Sequence, residues 1–379
     1  MRIGIACYAS VGGSGVLASE LARALARRGH EVHVISDGTP FRLRNLEDRL
    51  VVHVVEPPAY DVFRHPPFEL ALAAKMADVI RHADLDILHV HYAVPFATSA
   101  FLARAMVPGH RVRTVTTLHG TDIFLHAYDY ALTAAVRLGI EASDAVTAVS
   151  HHLADETRAV FGTDRPIEVI HNFVDPDRFP PRSSPPPRAA ALRRALAPAG
   201  EFLLLHVSNF RPIKRVGDVV RVFAEVRKTH RARLLLVGDG PEHARALALA
   251  EALGVAEDVH ALGRIDDVAA VYAAADVLLF PSEKESFGLA AAEAMAAEVP
   301  VVASAAGGLP EVVEDGVTGF LLPVGDVPAM AASVRRLLDD PGLRRRMGAA
   351  GRRRVAERFS PAAQVAQYEA LYKRIIIHQ

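Results

Sequence analysis

Short runs of hydrophobic residues alternate with longer amphipathic stretches along most of the chain. In the first half, seven runs have the length of buried strands: Ile3–Cys7, Glu31–Ile35, Val51–Val55, Ile87–His91, Val112–Leu118, Ala145–Val149 and Ile167–Ile170. Helical periodicity fills most of the segments between them. This alternation of strand and helix predicts a parallel sheet with helices packed on it.

The alternation stops at residues 172–175 and in the proline-rich stretch from Phe179 to Pro187, and it then begins again. Six further strands are predicted: Leu203–Val207, Arg233–Val237, Val259–Leu262, Val277–Phe280, Val301–Ala303 and Gly319–Leu321. Two Rossmann-like domains, 1–172 and 173–360, are the simplest interpretation, with the C-terminal helix 361–379 packing back on the first. The prolines fit either a stiff linker or a loop of the second domain.

Composition supports two domains and excludes several classes of protein. The chain has 379 residues, which is longer than one hydrophobic core usually supports. Hydrophobic residues make up 51% of the chain, which is enough to build two cores. Its 43 Lys and Arg nearly balance 44 Asp and Glu, which argues against a nucleic-acid-binding protein, so the arginine runs 344–346 and 352–354 are interpreted as solvated helix faces. Cys7 is the only cysteine, which excludes an intramolecular disulfide and fits a reducing cytoplasm. No hydrophobic run approaches the ~20 residues that a membrane-spanning helix needs.

Two acids stand eight positions apart around the predicted start of an alanine-rich helix. Glu285 lies in the turn after the strand Val277–Phe280, and Glu293 lies inside the helix. Carboxylates accept hydrogen bonds from hydroxyl groups, and the amides at a helix start favour a phosphate. The pattern therefore suits a sugar nucleotide, although a helix-dipole role for Glu285 and a solvated Glu293 would also explain it.

The first predicted strand is followed by a glycine-rich cluster, Gly12–Gly15, and the fifth by His119 and Gly120. Glycines let backbone amides approach a phosphate or a sugar, but they are equally typical of a plain tight turn. The fingerprint G-x-G-x-x-G of dinucleotide-binding proteins is missing. The spacings His89-x-His91 and His151-His152 do not give a convincing set of metal ligands, so we expect no metal.

The spacing of Glu285 and Glu293 resembles the E-x7-E signature of retaining glycosyltransferases with the GT-B architecture, in particular glycosyltransferase family 4. Other motifs of that family follow in order: His119–Gly120, Lys214, Gly238–Pro241, Leu262–Arg264, Gly307–Glu311 and Asp315–Gly319. The resemblance implies an α/β fold with two Rossmann-like domains facing a central cleft. It also implies that the first domain binds the acceptor, that the second binds the nucleotide sugar, and that no metal or other cofactor is required.

The resemblance implies a role for individual residues. Residues expected at the reacting centre are His119, Lys214, Arg211 and Glu285. Residues expected to bind the donor are Gly12, Gly13, Ser14, Asn209, Gly263, Arg264, Phe287, Gly288, Leu289 and Glu293. For the acceptor we expect Ser14, Tyr92, Thr117 and Arg137, with Arg42 and Arg64 in reserve. The family usually has Arg-x4-Lys at the diphosphate, and here Asn209 replaces that arginine, which leaves open whether Arg211 supplies the second charge.

A narrower resemblance rests on five segments: Cys7–Gly15, Pro40–Leu43, His89–Pro95, Thr116–Asp122 and Ser208–Arg211. They are similar to those of family members in bacillithiol biosynthesis. That similarity implies transfer of N-acetylglucosamine from UDP-N-acetylglucosamine to the hydroxyl of L-malate. We expect these small molecules as the partners of a cytoplasmic enzyme, with no nucleic acid and no integral membrane segment, and a homo-oligomer stays possible.

Three alternatives remain open at this stage. A family 4 enzyme with another acceptor, such as an inositol phosphate or a sugar, would carry the same donor motifs. A nonhydrolysing UDP-sugar epimerase also has two Rossmann-like domains. A nucleotide-sugar binding module without catalysis would bind UDP tightly and turn nothing over.

Overall fold

The computed structural model describes residues 1–9, 13–40, 43, 48–57, 65–123 and 130–377. The chain forms two compact units, Met1–Asn172 together with Pro361–Gln379, and Phe173–Ser360. Each unit contains one sheet, in which all pairs of neighbouring strands are parallel. The prediction of an α/β fold with two Rossmann-like halves is confirmed.

The first unit has a seven-stranded sheet. Its strands are β1 (Arg2–Ala6), β2 (Glu31–Ser36), β3 (Leu50–Val54), β4 (Ile87–His91), β5 (Arg113–Leu118), β6 (Ala145–Ala148) and β7 (Ile167–Val169). They are arranged in the order β3-β2-β1-β4-β5-β6-β7. The order reverses between β1 and β4, and open α/β sheets bind ligands beyond the carboxyl ends of their strands at such a point.

Among the described residues, the α-helices between these strands include α1 (Gly13–Arg27), α2 (Phe68–Ala83), α3 (Thr98–Met106), α4 (Leu132–Glu141) and α5 (His151–Phe161). Strands covered on both faces normally consist of hydrophobic residues only. All five residues of β4 are buried, yet two of them are His89 and His91. Because a buried polar group is costly unless it is hydrogen-bonded, both rings need partners inside the unit.

The second unit has a six-stranded sheet. Its strands are β8 (Phe202–Val207), β9 (Ala232–Val237), β10 (Val259–Gly263), β11 (Val277–Phe280), β12 (Val301–Ser304) and β13 (Gly319–Leu322). Its helices are α6 (Pro187–Leu196), α7 (Val216–Arg227), α8 (His243–Ala252), α9 (Ala269–Ala274), α10 (Leu289–Ala296), α11 (Leu309–Val312), α12 (Val327–Asp339) and α13 (Pro341–Arg358). The strand order is β10-β9-β8-β11-β12-β13, so it reverses between β8 and β11.

The last helix, α14 (Pro361–Ile377), belongs to the first unit. Glu369 accepts two hydrogen bonds from Arg28, of 2.8 and 2.7 Å, and lies 2.8 Å from His30 Nε2. The bonds from Arg28 are the main reason that the pKa of Glu369 is lowered to about 2. On the neighbouring turn, the buried Tyr372 hydroxyl lies 2.6 Å from His89 Nδ1, which gives that strand histidine one of its partners.

A buried carboxylate anchors the second unit at the amino end of β11. Asp276 is fully buried and receives the guanidinium groups of Arg182 and Arg193, the latter at 2.9 Å. The amide of Leu203 donates to the same carboxylate at 2.8 Å. Asp276 therefore ties the proline-rich stretch, helix α6 and the start of β8 to the centre of the sheet.

The interpretation of the arginine runs as solvated faces is wrong for three of their six members. Arg344 is buried and stacks on the Phe202 ring, 5.2 Å from its centroid. Arg352 donates to the carbonyl oxygens of residues 176, 179 and 296, and Arg354 donates to those of residues 311 and 312. A guanidinium group has five N–H donors, so it can satisfy several carbonyl groups at the end of a helix at once.

All thirteen predicted strands are present, with ends that agree within one residue. The agreement has a physical reason: strands buried on both faces are near-continuous hydrophobic runs bounded by glycine, proline or polar residues. Among the described residues, none of the helices has the length and hydrophobicity needed to cross a membrane.

We predict that Asp276→Asn lowers the free energy of unfolding of the second unit by about 3 kcal/mol, because it leaves two arginines without their buried carboxylate. Asp258→Asn is a matched control, since its ion pair with Arg227 is partly exposed and is worth at most about 1 kcal/mol. Urea unfolding followed by circular dichroism measures both changes. Equal losses in the two variants would contradict the anchoring role of Asp276.

Candidate active site

The loops that follow β8 and β11 meet where the strand order of the second sheet reverses. Lys214 lies in the first loop and Glu285 in the second, and their side chains form an ion pair. Both side chains are largely buried, with 16% and 10% of their surface exposed. The amide of Glu283 also donates to the carbonyl oxygen of Ile213 at 2.8 Å. Backbone and side chains together therefore join the two loops.

Glu285 is fixed from its other side by a glycine turn after β12. The amide of Gly308 donates to the carbonyl oxygen of Glu285 at 2.8 Å. A Cβ atom added to Gly307 would lie 2.0 Å from that same oxygen, and Gly307 has a φ of +57°. Only glycine fits this position without moving Glu285.

The loop after β8 rests on a second glycine turn, Gly238–Gly240. Added Cβ atoms at these two glycines would lie 1.8 and 2.1 Å from the carbonyl oxygens of Ser208 and Asn209. Beneath the loop, the fully buried His206 ring lies 2.8 Å from the Ser208 hydroxyl oxygen. Burial lowers the pKa of His206 to about 4, so the ring is neutral at neutral pH.

Asn209 and Arg211 are both exposed in this loop. Arg211 precedes the 3₁₀ turn Pro212–Lys214, and its side chain does not cap that turn. Within the described parts of the chain, its guanidinium group has no hydrogen bond or ion pair. A role for Arg211 as the second diphosphate-binding cation stays a prediction.

Helix α10 begins behind Gly288, which has a φ of +95° and lies against Leu309. The preceding Phe287 is 2% exposed, and its ring meets that of Phe359 edge-on at 5.4 Å. The Phe287 side chain is thus part of the core, and residues 287–289 can offer a ligand mainly their backbone. The first amides of a helix have no acceptor within it, so this end of α10 favours an anion.

Glu293 lies one turn further along α10 and is partly buried. Its Oε2 accepts a hydrogen bond of 2.9 Å from the hydroxyl of Tyr272, a fully buried residue of α9. Burial raises the pKa of Glu293 to about 7, while the bond from Tyr272 works in the opposite direction. One carboxylate oxygen is held by Tyr272, which leaves the other for a ligand.

Gly263 and Arg264 follow at the end of β10. Gly263 has a φ of +65°, and its carbonyl oxygen accepts a 2.8 Å hydrogen bond from the amide of Gly238. Arg264 is exposed. The pKa of the neighbouring Asp239 is lowered, chiefly by the amide of Gly240, and the charge of Arg264 contributes. This strand end is therefore attached to the glycine turn that supports the loop after β8.

Three predicted residues of the first unit lie together beyond the ends of its strands. The Tyr92 hydroxyl donates to the Ser14 hydroxyl oxygen, and the Tyr92 ring lies 5.2 Å from that of His119. All three are partly exposed, and the exposed Gly13 begins α1 beside them. Helix α1 thus brings its amino end to the same group of side chains. Three other candidates, Gly12, Arg42 and Arg64, lie outside the described residues.

Thr117 and Arg137 are not part of this group. The Thr117 hydroxyl is fully buried and lies 2.6 Å from His89 Nε2 and 2.7 Å from the Thr147 hydroxyl. Direct contact of this hydroxyl with an acceptor therefore does not fit the structure, because strand alternation directs the side chain into the interior. Arg137 is exposed on α4, beside Val136, which is buried. Its guanidinium group is accessible, but its role stays a prediction.

Asp122 supports the backbone near His119. The buried carboxylate accepts the amide of Ala93 at 2.8 Å, and burial raises its pKa to about 6. The ring of His119 has a different partner, His91, whose Nδ1 lies 2.8 Å from His119 Nε2. Burial lowers the pKa of His119 to about 3. The site therefore presents a neutral imidazole.

Sequence reasoning missed the roles of Tyr272, His91 and His206, each of which holds a candidate residue or its loop. The spacing His89-x-His91 within a strand places both rings on one face, and it could have drawn attention to His91. His206 near the end of a buried strand is a similar signal. No local pattern could have identified Tyr272, because its partner lies 21 positions away on another helix.

The second unit thus combines a cation, a helix start and two carboxylates at one sheet edge. A cation and free amides suit a diphosphate, and carboxylates accept hydrogen bonds from sugar and ribose hydroxyls. The first unit, taken by itself, presents hydroxyl groups and a neutral imidazole, which suit a polar acceptor.

Comparisons with known proteins match both units. The family described as glycosyltransferase family 4 matches residues 11–178, and glycosyl transferases group 1 matches residues 188–354. The chain is 45% identical over 377 residues to N-acetyl-alpha-D-glucosaminyl L-malate synthase of Bacillus anthracis, which covers 99% of this chain and 97% of the relative. It is 33% identical over 402 residues to D-inositol 3-phosphate glycosyltransferase of Kineococcus radiotolerans, covering 96% and 91% of the two chains.

Solved structures agree on the fold. Alr3699/HepE of Anabaena, in complex with UDP and glucose, superposes with a TM-score of 0.83 at 23% identity and covers 98% of this chain and 99% of that one. Sucrose-phosphate synthase of Thermosynechococcus elongatus gives a TM-score of 0.80 at 24% identity, with full coverage of both chains. The chain therefore belongs to glycosyltransferase family 4, and it is a hexosyltransferase with the GT-B fold.

Proposed function

We propose that the chain transfers N-acetylglucosamine from UDP-N-acetylglucosamine to the hydroxyl of L-malate, with retention of the α configuration, as a step of bacillithiol biosynthesis. The observation that carries the proposal is the 45% identity, over 99% of the chain, to a relative whose name states this product. Among the segments that suggest this acceptor, residues 116–122 include the end of β5 and residues 208–211 follow β8. The product links the sugar to malate through a new C1–O bond.

The donor belongs to the second unit in this proposal. The UDP diphosphate binds the Lys214 ammonium and the amides at the start of α10, and the ribose hydroxyls donate to Glu293. Glu285 accepts from hydroxyls of the sugar, and the uracil lies at Gly263 and Arg264. This assignment is supported by the ion pair of Lys214 with Glu285 and by the free carboxylate oxygen of Glu293.

The ammonium of Lys214 has the main electrostatic task. As the bond from the sugar C1 to UDP breaks, negative charge develops on the diphosphate, and stabilising such charge is usually the largest catalytic contribution. Lys214 is held beside Phe280 as well as Glu285, with its Nζ 5.7 Å from the ring centroid. Because its surroundings are largely buried, the charge is screened less than at an open surface. Arg211 adds a second cation, and no metal ion is required.

The acceptor belongs to the first unit. Ser14 donates to a malate carboxylate, and Tyr92 orients the Ser14 hydroxyl through the hydrogen bond that it donates to it. The amides that begin α1 assist, and Arg137 supplies a counter-charge. Thr117 does not contact malate, and its buried hydroxyl instead stabilises the end of β5 through hydrogen bonds with His89 and Thr147.

The reaction needs no protein base. The malate hydroxyl oxygen attacks C1 of the sugar from the face that UDP leaves, and the bond from C1 to the diphosphate oxygen breaks with its electron pair on UDP. The hydroxyl proton passes to a phosphate oxygen of the leaving group. His119 positions the sugar, and its lowered pKa fits a residue that does not carry the proton.

A coupled assay of UDP release tests the proposal. With UDP-N-acetylglucosamine, we expect release with L-malate, little with D-malate and none with inositol phosphate, and mass spectrometry should detect the N-acetylglucosaminyl malate. Release with inositol phosphate alone would favour the function stated in the name of the Kineococcus relative. An epimerised UDP-sugar without acceptor would favour an epimerase. Tight UDP binding without turnover would favour a binding module.

We predict that Lys214→Gln lowers kcat by about 10² to 10³, because removal of one such donor to a developing negative charge has that effect in other enzymes. Lys228→Gln is the matched control, since this lysine is 66% exposed and pairs with Glu225 on the surface of the second unit. Steady-state kinetics with saturating L-malate measures both variants. Similar kcat values in Lys214→Gln and the control would remove Lys214 from the site.

The pKa of Glu293 predicts a pH-dependent affinity for the donor. Above pH 7 the carboxylate is ionised and accepts from the ribose, so KM for UDP-N-acetylglucosamine should rise as the pH falls through about 7. Tyr272→Phe removes a hydrogen bond that favours the ionised form, so the rise should begin at a higher pH. Glu293→Gln should have a raised KM that does not change between pH 6 and 8. A pH-dependent KM in that variant would assign the titration to another group.

A further inference from the structure

Three histidine rings of the first unit form a stack, which we call the histidine column: His89, His91 and His119. The rings of His89 and His91 are 4.7 Å apart with an interplanar angle of 23°, and those of His91 and His119 are 5.1 Å apart at 21°. The first two lie on β4, and the third follows β5. Only His119 is partly exposed, so the column leads from the interior to the candidate site.

The inner end of the column is anchored on both sides. His89 is fully buried, with Nδ1 2.6 Å from the Tyr372 hydroxyl and Nε2 2.6 Å from the Thr117 hydroxyl. Burial lowers its pKa to about 3, so the ring is neutral. His91 is 2% exposed and packs on this fixed ring, which leaves it little freedom to tilt.

The polar atoms of His91 are not equivalent. Its Nδ1 lies 2.8 Å from His119 Nε2, whereas its Nε2 is buried without a hydrogen-bond partner among the residues that the structure describes. Burial, followed by the neighbouring rings, lowers the pKa of His91, so it carries a single ring proton. That proton lies either on Nδ1, within the bond to His119, or on the unpartnered Nε2.

The first arrangement is the favoured one. A proton on Nε2 would bury an N–H donor with nothing to accept it, and orphaned buried N–H groups are rarer in proteins than unpaired acceptors. With the proton on Nδ1, His91 donates to His119 Nε2 and leaves only a lone pair unpartnered. His119 then accepts at Nε2 and, being neutral as well, carries its own proton on Nδ1.

We propose that His91 is a positioning residue that holds His119 in the tautomer protonated on Nδ1, so that His119 presents a hydrogen-bond donor to an oxygen atom of the transferred sugar. The inference rests on the proposed function for the part that concerns the sugar. In this arrangement His119 serves as a neutral hydrogen-bond donor to a hydroxyl or carbonyl oxygen, and it accepts no proton during transfer.

The surroundings of His119 support a fixed donor. The Tyr92 ring lies against it at 5.2 Å and 56°, and the buried carboxylate of Asp122 faces the backbone amide of His119 as well as that of Ala93. The His119 ring is thus held by His91 and Tyr92, whereas the His119 backbone is held by Asp122. Such fixed groups matter in catalysis because a misplacement of about 1 Å can lower a rate by about 10².

The tautomer is directly measurable in the complete, unmodified chain. With ¹⁵N-labelled histidine, two-bond ¹H–¹⁵N spectra distinguish the protonated from the bare ring nitrogen, and the His119 signals are those lost in His119→Ala. We expect His119 to be protonated on Nδ1 between pH 6 and 8. A proton on His119 Nε2 would overturn the inference, and this test needs no substrate.

Two variants test the function of the bond. His91→Leu keeps an apolar shape but removes the donor, and we expect kcat to fall by up to about 10² with a smaller change in KM for the donor. His91→Asn keeps an amide near the position of Nδ1, and we expect it to restore most of the loss. Unchanged kcat in His91→Leu would overturn the inference. Circular dichroism and thermal unfolding, compared with the unmodified chain, show whether each variant is folded. If His91→Leu does not fold, the tautomer measurement decides.

These experiments separate the inference from the function on which it rests. If His119→Ala keeps full activity, the proposed role of His119 in the reaction is wrong. If His119→Ala is inactive while His91→Leu is fully active, only the positioning role of His91 is wrong.

Discussion

The ion pair between Lys214 and Glu285 lies at the one place in the second sheet where neighbouring strands send their loops in opposite directions. Two charged side chains 71 positions apart in sequence meet there because β8 and β11 are adjacent strands. The surrounding backbone allows little other geometry, since Gly307 is in direct contact with the Glu285 carbonyl group. The pair is largely buried, so a ligand phosphate that approaches Lys214 competes with Glu285 in surroundings where charge is weakly screened.

In the proposed function, this ion pair gives its two members different roles. The diphosphate binds Lys214 and the start of α10, and Glu285 then accepts hydrogen bonds from the sugar hydroxyls. The surroundings of Glu293 differ from those of Glu285. Tyr272 donates to one oxygen of the Glu293 carboxylate, and burial raises the pKa of this group to about 7. The two acids of one motif thus have distinct roles, one in an ion pair and the other as a hydrogen-bond acceptor.

The sequence predicts the strands, the two halves and the position of the acid pair well, because all three depend on local patterns. Contacts made through space were not predictable in this way. The pairing of Lys214 with Glu285, the support of Glu293 by Tyr272 and the capture of carbonyl groups by Arg352 all join distant segments. Thr117 is another example. Its position near the end of a strand predicts that the residue is close to the site, but it does not predict the direction of the side chain.

The central claim is that the strand-end edge of the second unit, organised by the pair of Lys214 and Glu285, holds the UDP part of the donor. A crystal structure of the full chain with bound UDP tests it most directly. The account predicts diphosphate oxygens within hydrogen-bonding distance of the Lys214 ammonium and of the amides that begin α10, with ribose hydroxyls on Glu293. UDP bound elsewhere, or with its diphosphate remote from Lys214, would contradict it.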